Sequence, residues 1–321
     1  MIPGAVALVV AAVLGAAARV VGPRIGAVDV PAGKLKPHPK PISYLGGVTV
    51  ALAIAAGLAA RGWPLRLAGA IGLLAALLLG LVDDVIDLTP ISRLALQGAL
   101  AAGVVAGGLR AEALPGAVLA WVAAIVLFVV AMNGVNLVDG MDGLAAGAVV
   151  ISAAGLAAIA RSNDGGTGLA LVTCGAAAGF LLHNLPPARL FLGDGGAYLL
   201  GAALAISLLH AGGSAESLAG AATCLGLFAL DPALAILRRR GDRLRVMEGD
   251  RGHLYDQLSA RGLGHVASLA ASWGVHTALV VAGIVSAALP TTGAIAFAVG
   301  VWALAILGLF RFGFVSYGAT P

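Results

Sequence analysis

Apolar residues along this chain run in long unbroken blocks, with almost no polar face recurring at a helical or strand period. Blocks can be read at 2–22, 44–60, 67–82, 94–109, 117–132, 144–160, 169–183, 195–210, 217–237, 267–289 and 294–314. Polar and charged residues collect between them. A helix needs about 20 residues to cross hydrocarbon, so several blocks are short for the task. The pattern nevertheless predicts an all-α, polytopic integral membrane protein of about eleven transmembrane helices. The longest polar stretch, Arg238 to His265, leaves no separate soluble domain, and residues 1–321 read as a single transmembrane domain.

Composition supports this reading. The 321 residues are 60% hydrophobic and only 11% charged, with a mean hydropathy of +1.02, which excludes a water-soluble fold. Abundant Ala and Gly suit close helix contact in lipid, where small side chains let backbones approach. The amino-terminal "MIPGAVALVVAAVLGAAARVVG" has no basic residue before its apolar run and reads as a retained first span, not a cleaved signal. Cys174 and Cys224 stand alone inside apolar runs, without metal-ligand spacing, and read as small buried residues.

Charge orients the spans. If the chain alternates sides, loops after odd-numbered spans hold Arg24, Lys34, Lys36, Lys40, Arg93, Arg189, Arg238, Arg239, Arg240, Arg243, Arg245, Arg251 and Arg261. The opposite loops hold only Arg61, Arg66, Arg110 and Arg161. The asymmetry places the odd loops in the cytoplasm and the amino terminus outside, and says more than the net charge of +4. The acids Asp83, Asp84, Asp139, Asp142, Asp194 and Asp231 fall on that same side. Nothing in the charge argument required it, and carboxylates beside hydrocarbon cost a few kcal/mol each, roughly, unless paired or given a cation. The competing polytopic class, a secondary transporter, commonly places such acids near the midplane of broken helices and shows internal repeats. These acids sit at span ends, and no repeat is evident.

Four segments carry the candidate chemistry. In "NGVNLVDGMDG", Asn133, Asn136, Asp139 and Asp142 recur every third residue, a spacing that keeps all four on one half of a helix. Gly134, Gly140 and Gly143 predict a broken end to that span, open to a ligand. "LGLVDDVIDLTPISRLALQ" supplies Asp83, Asp84 and Asp87, followed by Arg93 and Gln97. "HNLPPARLFLGDGGAYLLG" supplies Asn184 and then Asp194 in a glycine-rich turn, where free backbone N–H groups favour phosphate. "GDRGHLYDQL" brings Asp250, Arg251, His253, Tyr255 and Asp256 into the basic loop.

Together with "KPHPKPISYLGG", which holds Lys36, His38, Gly46 and Gly47, these motifs resemble the polyprenyl-phosphate N-acetylhexosamine-1-phosphate transferases. That family includes undecaprenyl-phosphate N-acetylglucosamine-1-phosphate transferases and the phospho-N-acetylmuramoyl-pentapeptide transferase of peptidoglycan synthesis. The resemblance runs nearly end to end. It implies that Asp83 engages the lipid phosphate, with Asp84 its neighbour near the metal, and that Asp194 is the magnesium ligand with Asp84 a second one. It further implies that Asn133, Asn136, Asp139 and Asp142 line the nucleotide and metal site and that Asn184 lies in the donor pocket. Lys36 and His38 belong to the first cytoplasmic loop, and His253 with Arg251 clamps the diphosphate.

The implied reaction moves a sugar-1-phosphate from a UDP-sugar to undecaprenyl or another polyprenyl phosphate, releases UMP and uses Mg2+. The expected setting is the plasma membrane, with the active site facing the cytoplasm. Expected partners are the two substrates and the bilayer, with a homodimer open and no nucleic acid. Where relatives carry further histidines after the first, this chain has Leu254, Tyr255 and Asp256. That departure argues for a simple UDP-N-acetylhexosamine and against the muramoyl-pentapeptide donor, which stands as the alternative.

Overall fold

The computed structural model describes residues 1–30, 40–60, 62, 65–160, 165–241 and 252–315. Lys36, His38 and Arg251 lie outside them, as do Lys34, Arg61, Arg161, Arg243 and Arg245. The elements run α1 (Ile2–Ile25), β1 (Val28–Asp29), β2 (Ile42–Ser43), α2 (Gly46–Ala60), α3 (Leu67–Ile86), α4 (Pro90–Ala106), α5 (Ala117–Val138), α6 (Leu144–Ile159) and α7 (Gly165–Asn184). They continue as α8 (Gly193–Ala211), α9 (Ala215–Thr223), α10 (Gly226–Gly241), α11 (Leu254–Ala260), α12 (His265–Ala287) and α13 (Thr291–Arg311). Every apolar block of the sequence is helical.

Among the described residues seven helices are long and apolar enough to cross a membrane, and the bent pair of α9 and α10 would make an eighth. Helices α2, α4 and α6, of 15, 17 and 16 residues, are apolar but short. Expected and observed helices therefore correspond block by block, while a count of eleven full spans exceeds what helix length supports. The ninth block differs most. It is two helices meeting at 64° instead of one straight span.

Helix α8 is the axis of the bundle, buried on every side from Gly195 to Leu209. Helices α2, α3, α5, α6 and α7 pack round it. Large apolar side chains such as Val9 and Val13 on α1 and Leu304 and Leu307 on α13 are exposed on the outer surface, as expected of helices that face lipid. The chain alternates ends. At one end Arg66 comes near Gly108 and Thr291 bonds Glu216. At the other, Gly46 N donates to Phe191 O, Phe191 N donates to Ser43 O, and Arg261 holds the carbonyls of Phe312 and Gly313. The loops after odd-numbered blocks thus gather at a single end, with the acids.

Candidate active site

The site begins where α3 meets the first turn of α8. A Cβ on Gly80 would overlap the backbone of Asp194, so only glycine lets the two helices touch there. The contact lays Asp84 on the start of α8, where Oδ1 accepts from Asp194 N at 2.8 Å and Oδ2 from Gly195 N at 3.2 Å. A helix start leaves its first amides unbonded and favours an anion. The Gly-Asp-Gly turn therefore does not offer those two N–H groups to a phosphate, as the sequence suggested, because Asp84 already holds them.

Asp83 points into the protein. Its side chain has no exposed surface, and its Oδ2 lies 2.6 Å from Arg93 Nε. Tyr198 Oη donates to the same oxygen at 2.6 Å, and Leu88 N donates to Oδ1 at 2.9 Å. The turn between the helices makes this possible. Asp87 takes the left-handed conformation at φ 55°, and Thr89 caps α4 by accepting from Ser92 N, which folds α4 back so that Arg93 returns to the acids. Arg93 Nη2 also lies 3.4 Å from Asp87 and 3.6 Å from Asp194. Asp83, expected to meet the lipid phosphate, is thus bonded to Arg93, Tyr198 and Leu88 in this structure. The guanidinium is the partly exposed group, and the carboxylate stands behind it.

Helix α5 brings the next set. Gly134 does not break the helix, which runs intact to Val138; the break expected from the glycines comes after it, in the turn that holds Gly140 and Gly143. Gly134 instead takes the close approach of the Phe228 carbonyl from α10. Asn136 Nδ2 donates to Asp194 Oδ1 at 2.5 Å. Asn133, one turn earlier, is half-buried and makes no hydrogen bond through its side chain to the described residues. Asp139, at the end of α5, is partly open to solvent, and its carboxylate likewise has no hydrogen-bond partner among them. Its carboxyl is pushed well above the ordinary range by burial first, then by the charges of Asp194, Asp142 and Asp84.

Two residues expected at the donor site also brace the backbone around it. Asn184 is buried, with Oδ1 accepting from Gly143 N at 2.9 Å and Nδ2 donating to Leu190 O at 3.0 Å. Asp142 Oδ2 accepts from Ala188 N at 2.9 Å. Both lace the loop after α5 to the loop after α7, so their polar atoms hold backbone that would otherwise go unsatisfied.

His253 caps α11 and is buried. Its Nδ1 is 2.5 Å from Asp231 Oδ2, and Asp231 Oδ1 accepts from Leu254 N at 2.7 Å. Tyr255 stacks on the imidazole, with ring centroids 5.6 Å apart, and its hydroxyl lies where a Cβ on Gly140 would be. The histidine loop is thereby docked beside Asp139. Arg93, Tyr198 and Asp231 were not assigned roles at the site from the sequence, where Arg93 followed the paired aspartates and Asp231 stood among the acids of the same side. Only the spacing of Arg93 from the paired aspartates carried a signal.

Among the described residues no three His, Cys, Asp or Glu close round a single point. Magnesium needs no such cage, since it takes one or two carboxylates together with waters and substrate phosphates. Asp194 and Asp139 fit that demand as all-oxygen donors, with the Asp139 carboxylate unbonded. Asp84, expected as the second ligand, fits less well because each of its oxygens already accepts an amide.

A profile of glycosyl transferase family 4 matches residues 67–212, from the start of α3 to just past α8. Over 261 residues the chain is 33% identical to the "probable undecaprenyl-phosphate N-acetylglucosaminyl 1-phosphate transferase" of Bacillus subtilis, a match covering 75% of this chain and 72% of that protein. Phospho-N-acetylmuramoyl-pentapeptide-transferase of Synechococcus sp. strain RCC307 is 46% identical over 102 residues, 30% of this chain and 28% of that one. The enzyme of the same name from Chlamydia trachomatis is 47% identical over 79 residues, 22% of this chain and 23% of its own.

Proposed function

Because this chain belongs to glycosyl transferase family 4, we propose that it transfers N-acetylhexosamine-1-phosphate from a UDP-sugar to undecaprenyl or another polyprenyl phosphate and releases UMP. The observation that supports this most is Arg93 set among Asp83, Asp87 and Asp194 at the end of the bundle where the loops after odd-numbered blocks meet. A basic group held there can receive a lipid phosphate whose tail lies in the bilayer. The excess of Arg and Lys in the same loops supports a cytoplasmic site in the plasma membrane, where a water-soluble nucleotide sugar is available.

In the reaction an oxygen of the lipid phosphate attacks the β-phosphorus of the UDP-sugar. One phosphoanhydride bond forms, another breaks, and its electron pair leaves with UMP. The main barrier is the meeting of two anions, since unit charges ~4 Å apart at an effective dielectric of ~20 repel by about 4 kcal/mol. Arg93 offsets part of that repulsion at the lipid phosphate, with Asp83 fixing its orientation from behind. Asp194 and Asp139 would hold magnesium, which supplies charge neutralisation at the donor diphosphate. Asn136 orients Asp194 for this task. His253, aimed by Asp231, donates to the diphosphate, joined by Arg251 of the basic loop. Lys36 and His38 of the first loop would take part in holding the substrates, and Asn133 offers an amide to the nucleotide.

Tyr255 is neutral near pH 7 and already committed to the contact with His253 and Gly140. The donor sugar is therefore a simple UDP-N-acetylhexosamine or a deoxy derivative. Purified protein given polyprenyl phosphate, Mg2+ and a panel of UDP-sugars is expected to release UMP with UDP-N-acetylglucosamine or a close relative and to form no lipid-linked pentapeptide. Efficient turnover of UDP-N-acetylmuramoyl-pentapeptide overturns the sugar assignment.

Orientation has its own test. Cysteines placed at Glu112 and at Arg24, both exposed and at opposite ends, are expected to differ in intact cells. A membrane-impermeant maleimide should label the first and spare the second. Labelling of Arg24→Cys from outside inverts the topology and removes the site from cytoplasmic UDP-sugars.

A further inference from the structure

An imidazole lies fully buried near the middle of α12, remote in sequence from every motif above. His276 has no exposed surface. Polar side chains at such depth are costly unless bonded, and commonly serve a function. Here the ring answers the break between α9 and α10. A break leaves backbone groups without helical partners, and protein must supply them away from water. His276 Nδ1 accepts from Leu227 N at 3.3 Å, in the first turn of α10. Ser152 Oγ donates to Cys224 O at 2.7 Å, at the end of α9. Ser152 Oγ and His276 Nε2 are 2.8 Å apart, and Ala148 O is 3.1 Å from the same nitrogen. These roles agree with one another. A ring accepting at Nδ1 carries its proton on Nε2, which then donates to Ser152 Oγ and Ala148 O.

The bend fixes what lies beyond it. Phe228 sets its ring edge-on to His276, with centroids 5.5 Å apart, and its carbonyl against Gly134 of α5. Pro232 has no N–H to bond that carbonyl four residues back, which leaves it to face Gly134. One further residue away is Asp231, whose two oxygens hold His253 Nδ1 and Leu254 N. The chain of contacts runs from His276 through the first turn of α10 to the imidazole of the site.

We propose that His276, with Ser152, is a positioning residue for the transfer reaction: it holds the bend between α9 and α10 that aims Asp231 and so His253. This rests on the reading of the site as a transferase in which His253 takes part. His276→Leu is expected to lower the turnover for UMP release about tenfold to a hundredfold, as for a small misplacement made far from the chemistry. Ser152→Ala should cause a smaller loss. His276→Asn should recover most of the activity, because its Oδ1 can accept from Leu227 N. In a His253→Ala background, His276→Leu should cost less than about twofold more, since the two act in series. Hydrogen exchange supplies a readout that needs no turnover. The peptide spanning 252–260 should exchange faster in His276→Leu as the Leu254 amide loses its hold on Asp231. Losses that multiply in the double mutant, or unchanged exchange at Leu254, overturn the proposal. A wild-type protein inactive on every donor would instead refute the transferase reading, while the exchange measurement would still decide whether His276 holds Asp231.

Discussion

Asp194→Asn is expected to stop transfer, by about a thousandfold or more, corresponding to roughly 4 kcal/mol of lost transition-state stabilisation. The fold should survive. The bond that anchors the start of α8 runs from the backbone N of Asp194 to Asp84, and a side-chain change leaves it in place. An asparagine oxygen can still accept from Asn136, as Asp194 Oδ1 does. What disappears is the negative charge facing Asp139, and with it the capacity to hold a divalent cation beside the donor diphosphate. The same charge helps to push the Asp139 carboxyl up, so its removal relieves repulsion in the metal-free protein. The variant should therefore melt in detergent no earlier than wild type without Mg2+, and should lose most of the stabilisation that Mg2+ gives the parent. UMP release within tenfold of wild type would remove Asp194 from the metal.

Arg93→Met is expected to damage stability and activity together, and the two can then be separated. The Asp83 side chain has no exposed surface and lies 2.6 Å from Arg93 Nε. Removing one partner of such a pair leaves a buried charge uncompensated, at a cost of about 3–5 kcal/mol. Tyr198 Oη and Leu88 N still donate to the carboxylate and soften the loss without supplying charge. Adding Asp83→Asn should return the melting temperature most of the way to wild type, because an amide needs no counter-ion. Transfer should stay at background, since nothing then meets the lipid phosphate. A double mutant that regains both stability and turnover would show Arg93 to be only a counter-ion.

These expectations rest on contacts that differ in how far the sequence reveals them. The helices were legible because hydrocarbon admits only long apolar stretches with satisfied backbones. The end carrying the site was legible because acids and arginines crowd the same loops. Gly140 and Gly143 do stand in the turn that ends α5, but Gly134 was misleading, since a glycine in a helix marks close packing as readily as a break. Gly134 meets the Phe228 carbonyl. The break at Cys224 and Leu225 had no local sign. Pro232, the obvious breaker, lies inside α10, and the groups that satisfy the break come from Ser152 and His276 on two other helices.

Membership of the site divides the same way. Residue type and spacing named Asp83, Asp84, Asn136, Asp139, Asp194 and His253, because carboxylates, amides and an imidazole beside a bilayer need a reason to be there. The offices within that set were decided in three dimensions. Asp84 became the cap of α8, Asn184 a brace between loops, and Arg93 the partly exposed cation in front of Asp83. By itself, then, the sequence determined which segments are apolar helices, which end gathers the charge, and which chemical groups are present. The tertiary structure alone decided which groups neutralise each other and which remain open to substrate. The physical reason is that hydropathy and charge are properties of single segments, whereas a hydrogen bond exhausts a donor through a partner far along the chain, 110 residues away between Asp84 and Asp194.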